Sequence, residues 1–190
     1  MQGRDKSVPS IKTLMICPRM QILKETPLPK GYSYMQIDDD MDQEWIDLQM
    51  MAGNFKEQKE AYDFFWNMDR DKFVFVQDEN GKLVGSAGLY PGEHFGMKRL
   101  RLGKLVVLLD HQREGIATAM ITKLCVLFDS IPDRFPLYVS VNAQQHEAIK
   151  TFAKLEFTPY FGFWEGHTDK QSEHDWEIVT EILREKSISA

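Results

Sequence analysis

The sequence predicts a mixed α/β fold with a central sheet flanked by helices. Three observations carry this. Apolar alternation and helical periodicity succeed one another in the order βααβββαβαβ, which suits a layered α/β architecture. The stretch from Leu105 to Met120 is an apolar strand, a polar turn and then an amphipathic helix. The composition, 43% hydrophobic with 12% aromatic residues over 190 positions, is rich enough for a packed core.

Residues 11–31 mix apolar and basic side chains and end in Thr26-Pro27-Leu28-Pro29-Lys30-Gly31. The prolines and glycine predict an extended arm and a turn. The chain therefore divides into an N-terminal arm, 1–31, and a domain, 32–190. Tyr32 to Ile37 alternates as a first strand. Asp38-Asp39-Asp40 then marks a solvated turn and helix start rather than a metal site, because consecutive aspartates point in different directions. Apolar spacings of three and four predict helices over 43–52, with Trp45, Leu48 and Ala52 on one face, and over 57–68, with Ala61, Phe64, Phe65 and Trp66. These aromatics read as core or as a substrate-side wall.

Phe73 to Val76 is a strand by propensity, Asp78-Glu79-Asn80-Gly81 a hairpin turn, and Lys82 to Tyr90 the returning strand. After a loop at 91–96, Lys98 to Leu102 alternates and Leu105 to Leu109 is continuously apolar. This predicts one long strand, half exposed at its start and buried at its end, with a bend or bulge at Gly103. A helix from Ile116 to Phe128 puts Ala117, Met120, Ile121, Leu124, Cys125 and Phe128 on a broad face. Leu137 to Val141 is a strand, 144–155 a helix and Phe157 to Phe163 a strand. Residues 176–183 fit both periods: Trp176, Ile178 and Thr180 alternate, whereas Trp176, Val179 and Leu183 suit a helix.

Composition narrows the functional classes. A formal net charge of -6 argues against a general nucleic-acid binder. Cys17 and Cys125 offer no disulfide framework, and Cys125 reads as a buried thiol. The five histidines show no ligand spacing, so no metal is expected. No apolar run reaches the ~18 residues a bilayer span needs. Met1 to Ser10 is polar and has no signal-peptide core, so a cytoplasmic protein without membrane attachment is expected.

The chemistry concentrates at Gln112-Arg113-Glu114-Gly115-Ile116-Ala117-Thr118. A helix start leaves backbone N–H groups without intrahelical partners, and these, with the helix dipole, favour an anion. Gly115 lets a phosphate approach the backbone, and Ala117 is the smallest substitute for a second glycine. A plain strand-to-helix turn is the competing reading. The pattern Gln112-x-x-Gly115-x-Ala117, between strand and helix, resembles the acetyl-CoA pyrophosphate loop of the GNAT superfamily of N-acetyltransferases. Leu137-Tyr138-Val139-Ser140-Val141-Asn142-Ala143, followed by Ala148-Ile149, Phe152 and Lys154-Leu155-Glu156-Phe157, resembles that family's second motif. The two motifs together span about a third of the chain.

The resemblance implies a mixed, largely antiparallel sheet whose two splayed strands admit the pantetheine arm of acetyl-CoA. It tips 176–183 toward a closing strand. It implies that the backbone of Leu105, Val106 and Val107 bonds the acetyl carbonyl and pantetheine. Gln112, Arg113, Glu114, Gly115, Ile116, Ala117 and Thr118 would cradle the pyrophosphate. Leu105–Val107 serve equally as sheet core, since only their backbone is invoked. Asn142 has two readings, a pantetheine hydrogen bond or a helix cap. Arg113 also has two, a phosphate contact or a solvated side chain.

The departures are specific. Gln145 stands where the family often has Asn, and Glu156 where it has Gly before Phe157. Phe152 stands where a Tyr often protonates the leaving thiolate, and a phenyl ring cannot donate a proton. Glu93, His94, Asp110, His111, Tyr138 and Tyr160 are ionisable groups near the expected site, and none is singled out as catalytic. The expected activity is direct transfer of acetyl from acetyl-CoA to a primary amine, on a small molecule or a peptide. A non-catalytic acyl-CoA-binding sensor is the alternative. An unrelated nucleotide-binding protein ranks last, because Gly-Lys-Ser/Thr and Gly-x-Gly-x-x-Gly motifs are lacking. The arm or the last strand offers a homodimer contact.

Overall fold

A computed structural model describes residues 4–17, 24–132 and 135–188. Among the described residues, seven strands, β1 to β7, and five α-helices, α1 to α5, give the mixed α/β class. They divide into two compact units, one containing 24–90 and 102–132, the other 4–17, 91–101 and 135–188.

In the first unit β2 (Tyr32–Met35), β3 (Phe73–Asp78), β4 (Leu83–Gly92) and β5 (Arg99–Val107) follow one another in the sheet; the ends of β4 and β5 run into the second unit. β2 and β3 pair antiparallel, with Tyr32 opposite Asp78. β3 and β4 also pair antiparallel, with Phe73 opposite Gly88 and a register shift at Val76/Gln77. The β3–β4 hairpin turns where Asn80-Gly81 predicts, with Gly81 at φ +80. The Asp78 carboxylate accepts the amides of Lys82 (3.0 Å) and Asn80 (2.9 Å), which holds it below the usual carboxylate range.

Helices α1 (Asp42–Met51) and α2 (Gln58–Asn67) form within two residues of expectation. Trp45, Ile46, Leu48, Ala61 and Phe65 turn inward onto Phe73, Phe75, Leu83 and Val106. Trp45 lies at the centre. It stacks on Phe64 at 8° between planes, touches Phe55 and Phe65, and donates from Nε1 to Ser86 at 3.0 Å. α3 (Ile116–Ser130) buries Ile116, Ala119, Met120, Ile121, Leu124, Cys125 and Phe128.

The second unit orders β6 (Leu137–Asn142), β1 (Lys12–Cys17) and β7 (Thr158–Pro159), with β1 antiparallel to both neighbours. Part of the stretch expected as an arm is therefore an interior strand, and Leu14 and Met15 are buried in it. Residues 18–23 of that stretch lie outside the described residues. The expected strand over Phe157–Phe163 contracts to Thr158–Pro159. Pro159 has no amide to donate, and beyond Tyr160, whose amide reaches Leu14 (2.9 Å), Phe161 and Phe163 are exposed.

The expected closing strand at 176–183 is corrected outright. It lies inside α5 (Asp169–Ile188), which packs on β1 and on α4 (His146–Lys154). Ser172, Trp176, Val179 and Ile182 are buried at spacings of four and three, so the helical period defines the apolar face.

Candidate active site

β5 ends at Val107, two residues earlier than its apolar run suggests. Leu105, Val106 and Val107 are buried, as both sheet core and a backbone site require. The chain leaves the strand under control: the Leu108 amide donates to Val84 (2.8 Å), and Leu109–His111 make one tight turn. Gln112 then reaches back, its Nε2 donating to the Val107 carbonyl at 2.9 Å. The glutamine of the motif is a clamp that fixes the loop against its strand.

The loop enters α3 through two left-handed residues, Arg113 at φ +67 and Gly115 at φ +93. Turns of this kind aim successive amides into a concavity suited to anions. The first backbone bond of the helix start runs from Ala119 to the Gly115 carbonyl at 3.0 Å, and no side chain caps the helix. The amides of Ile116, Ala117 and Thr118 precede that bond and have no intrahelical acceptor. Among the described residues, a Cβ on Gly115 would meet only Pro29 Cγ, at 3.9 Å. A pyrophosphate group fits this donor set.

Asn142 ends β6 in the second unit. Its Oδ1 accepts the Gln144 amide at 3.0 Å and its Nδ2 donates to Ser10 at 2.9 Å. Its oxygen thus caps the turn at Ala143–Gln145, and its amide nitrogen is held by Ser10. Phe152 is buried with its ring edge on Phe157 at 5.1 Å. Cys17 and Cys125 are both buried.

The ionisable candidates separate by environment. Glu93 and Asp110 are exposed. His111 is half-buried, its Nδ1 3.0 Å from the Tyr32 hydroxyl. His94 is buried, its Nδ1 3.1 Å from the hydroxyl of the fully buried Tyr138 and its ring against Trp164. Burial, then the charges of Arg101 and Lys12, push the His94 pKa down to about 4. It is a neutral imidazole at pH 7. Tyr160 packs its ring edge on Phe95 at 5.3 Å.

The lowered pKa of His94 has a measurable sign. Its unfolded value is about 6.5, so below that pH the unfolded chain binds more protons and the folded state is penalised. The His94 contribution is complete above about pH 6.5 and is lost progressively as pH falls toward about 4. Urea denaturation at steps from pH 7 to 5 should show stability falling with pH. His94→Gln should flatten that fall. An equal slope in both proteins would remove His94 as its source.

With this geometry in place, the sequence match is specific. It joins residues 36–157 to the model of the Acetyltransferase (GNAT) family. The chain belongs to the GNAT acetyltransferase family.

Solved structures share its fold. A GCN5-related N-acetyltransferase from Sphaerobacter thermophilus aligns at 14% identity and TM-score 0.61, covering 80% of this chain and 49% of that one. A GNAT-family acetyltransferase from Colwellia psychrerythraea aligns at 12% identity and TM-score 0.59, covering 82% and 55%. A tandem GNAT protein from the clavulanic acid biosynthesis pathway aligns at 16% identity and TM-score 0.56, covering 83% and 52%. This chain thus spans about half the length of these proteins, and at such identities the likeness is one of fold. No curated protein sequence matches it. No helix among the described residues is long and apolar enough to cross a membrane.

Sequence reading reached the loop between β5 and α3 because strand, turn and helix are contiguous there. It passed over Lys104 as one residue of a strand. Only the structure gathers aromatic rings from α2, β4 and the α1–α2 loop around that side chain.

Proposed function

We propose that this GNAT chain transfers an acetyl group from acetyl-CoA to a primary amine of a small molecule or peptide, by direct attack. The observation that carries the reading is the uncapped start of α3. Gly115 stands at φ +93 at the N-cap of α3, with Gln112 tying the loop to Val107 at the end of β5. Acetyl-CoA supplies a thioester, whose acyl carbon gains a C–N bond to the amine as the C–S bond breaks and CoA leaves as the thiol.

The chain's own groups divide the work. Amides of Gln112 through Thr118 receive the pyrophosphate, aided by the α3 dipole. The backbone of Leu105–Val107 aligns the acyl arm, and an amide aimed at its carbonyl stabilises the charge that develops there. The amine gives up one proton to a base or to water.

Parallel calorimetric titrations with acetyl-CoA, CoA and ATP test this first. Micromolar binding of both CoA species with far weaker ATP binding is the expected result. A folded sample that binds neither CoA species would refute it.

A second reading, an acyl-CoA-binding module without turnover, is favoured by one observation. The position where the family often places a tyrosine acid is Phe152, a buried ring against Phe157. Turnover assays of Phe152→Tyr separate the two. For a transferase with another proton donor the rate should stay within about threefold of wild type. A rise of tenfold or more, within the ~10²–10⁴-fold range of general acid catalysis, would favour the degenerate site.

A further inference from the structure

Lys104 lies within β5. It stands at φ +54, a left-handed conformation that costs a side-chain-bearing residue energy, in mid-strand beside Gly103. A closed circuit holds it there. Its carbonyl accepts Gln49 Nε2 at 3.0 Å, and Gln49 Oε1 accepts Asn54 Nδ2 at 2.7 Å. The Asn54 carbonyl accepts the Lys104 ammonium at 3.1 Å. Gln49 is fully buried and anchors the circuit, whereas Asn54 and Lys104 are half-buried.

The ammonium sits among aromatic faces. It lies 3.3 Å from the Phe55 ring centroid, 4.9 Å from Phe64 and 5.9 Å from Tyr90. The rings brace one another: Phe55 on Phe64 at 5.5 Å, Phe64 edge-on to Tyr90 at 5.2 Å, and Trp45 stacked behind Phe64. Gly103 admits the third wall, because a Cβ there would stand 2.6 Å from the Tyr90 hydroxyl. Three electron-rich ring faces and one backbone carbonyl form a cation box. Phe55, Phe64 and Tyr90 are each half-buried, so the box opens to solvent.

We propose that the Phe55–Phe64–Tyr90 box is a subsite for a cationic group of the acceptor, occupied in the unliganded protein by the Lys104 ammonium as a displaceable plug. This rests on the acetyl-transfer reading above. Lys104 directly precedes Leu105, the first of the three residues whose backbone that reading places along the acyl arm. An acceptor with two cationic groups a short aliphatic chain apart would seat one in the box and extend the other, as the reacting amine, along β5. The lysine stem is long and flexible, and on displacement its charge returns to water. The class of acceptor selected is a diamine, in preference to a monoamine of the same length.

Removing the plug tests this. Lys104→Gly suits the backbone, since glycine adopts φ +54 without strain, and Lys104→Ala is a second variant should the first misfold. The probe is tetramethylammonium followed by its proton resonance. Over stacked rings this should move upfield and saturate in the millimolar range with either plugless variant. Binding to wild type should be at least about tenfold weaker, and adding Phe55→Leu to the variant should abolish it. 1,4-Diaminobutane should compete with the probe. In turnover, the plugless variants should lower KM for 1,4-diaminobutane at least about tenfold relative to butylamine, with kcat little changed.

Absence of a saturable shift in both folded variants overturns the proposal. So does a probe that binds while the diamine neither competes nor gains over butylamine. The ammonium titration needs no acetyl-CoA, so failure to bind acetyl-CoA would sink the acetyl-transfer reading while the titration still reports on the box.

Discussion

Gly115→Val is expected to weaken acetyl-CoA binding about a hundredfold while leaving the protein folded. Gly115 sits at φ +93, where a β-branched residue is strained, and it directly precedes the amides of the first turn of α3. Among the described residues nothing but Pro29 Cγ, at 3.9 Å, stands near the new Cβ, so the loss comes from backbone geometry and from the side chain standing in the anion's approach. Losing one or two charge-assisted amide bonds, each about 1.5–3 kcal/mol, amounts to roughly 3 kcal/mol, or about a hundredfold in Kd. Gly115→Asn should lie between wild type and valine, because asparagine tolerates the left-handed region. Calorimetry measures the affinities and circular dichroism the fold. A folded valine variant with wild-type affinity would show that the α3 start is not the pyrophosphate site.

The largest stability effect belongs to Trp45→Ala, expected to cost about 4 kcal/mol. Trp45 is fully buried against Phe55, Phe64 and Phe65, and α1 and α2 pack around it. Truncation removes that contact area and opens a cavity, and it leaves the buried Ser86 hydroxyl without its donor at 3.0 Å. Against a typical domain stability of about 5–15 kcal/mol, this is a large fraction. Trp45→Phe keeps a ring and loses chiefly the hydrogen bond, so about 1–2 kcal/mol is expected. Urea denaturation followed by far-ultraviolet dichroism measures both. A cost below about 1 kcal/mol for the alanine variant would mean that α1 and α2 repack freely around the gap.

The candidate site was legible where its logic is local. The β5–turn–α3 sequence carries an apolar run, a polar turn and a glycine at the helix start within sixteen residues, and the structure puts each in its expected element. The hairpin at Asn80-Gly81 and helices α1 and α2 were legible for the same reason, since short windows of turn chemistry and three-four spacing define them. Asn142 was legible only as a choice between two roles. Its hydrogen bonds with Gln144, which is a cap, and with Ser10 appear only in the structure, and Ser10 is remote in sequence.

By itself, then, the sequence determined the strand–turn–helix passage from β5 to α3, the order of most elements and departures such as Phe152, because propensity, capping and backbone permissiveness act within a few residues. Tertiary structure decided the rest. Residues 176–183 satisfy two periods equally, and packing on β1 and α4 selects the helix. Lys12–Cys17 becomes an interior strand only because β6 and β7, more than a hundred residues later, supply hydrogen-bond partners on both sides, as in Lys12 opposite Asn142. The neutrality of His94 comes from burial against Tyr138 and Trp164, and the aromatic box of Lys104 from Phe55, Phe64 and Tyr90 converging on one ammonium. Burial, pairing and ring convergence join residues far apart along the chain, and a one-dimensional pattern does not encode which of them meet.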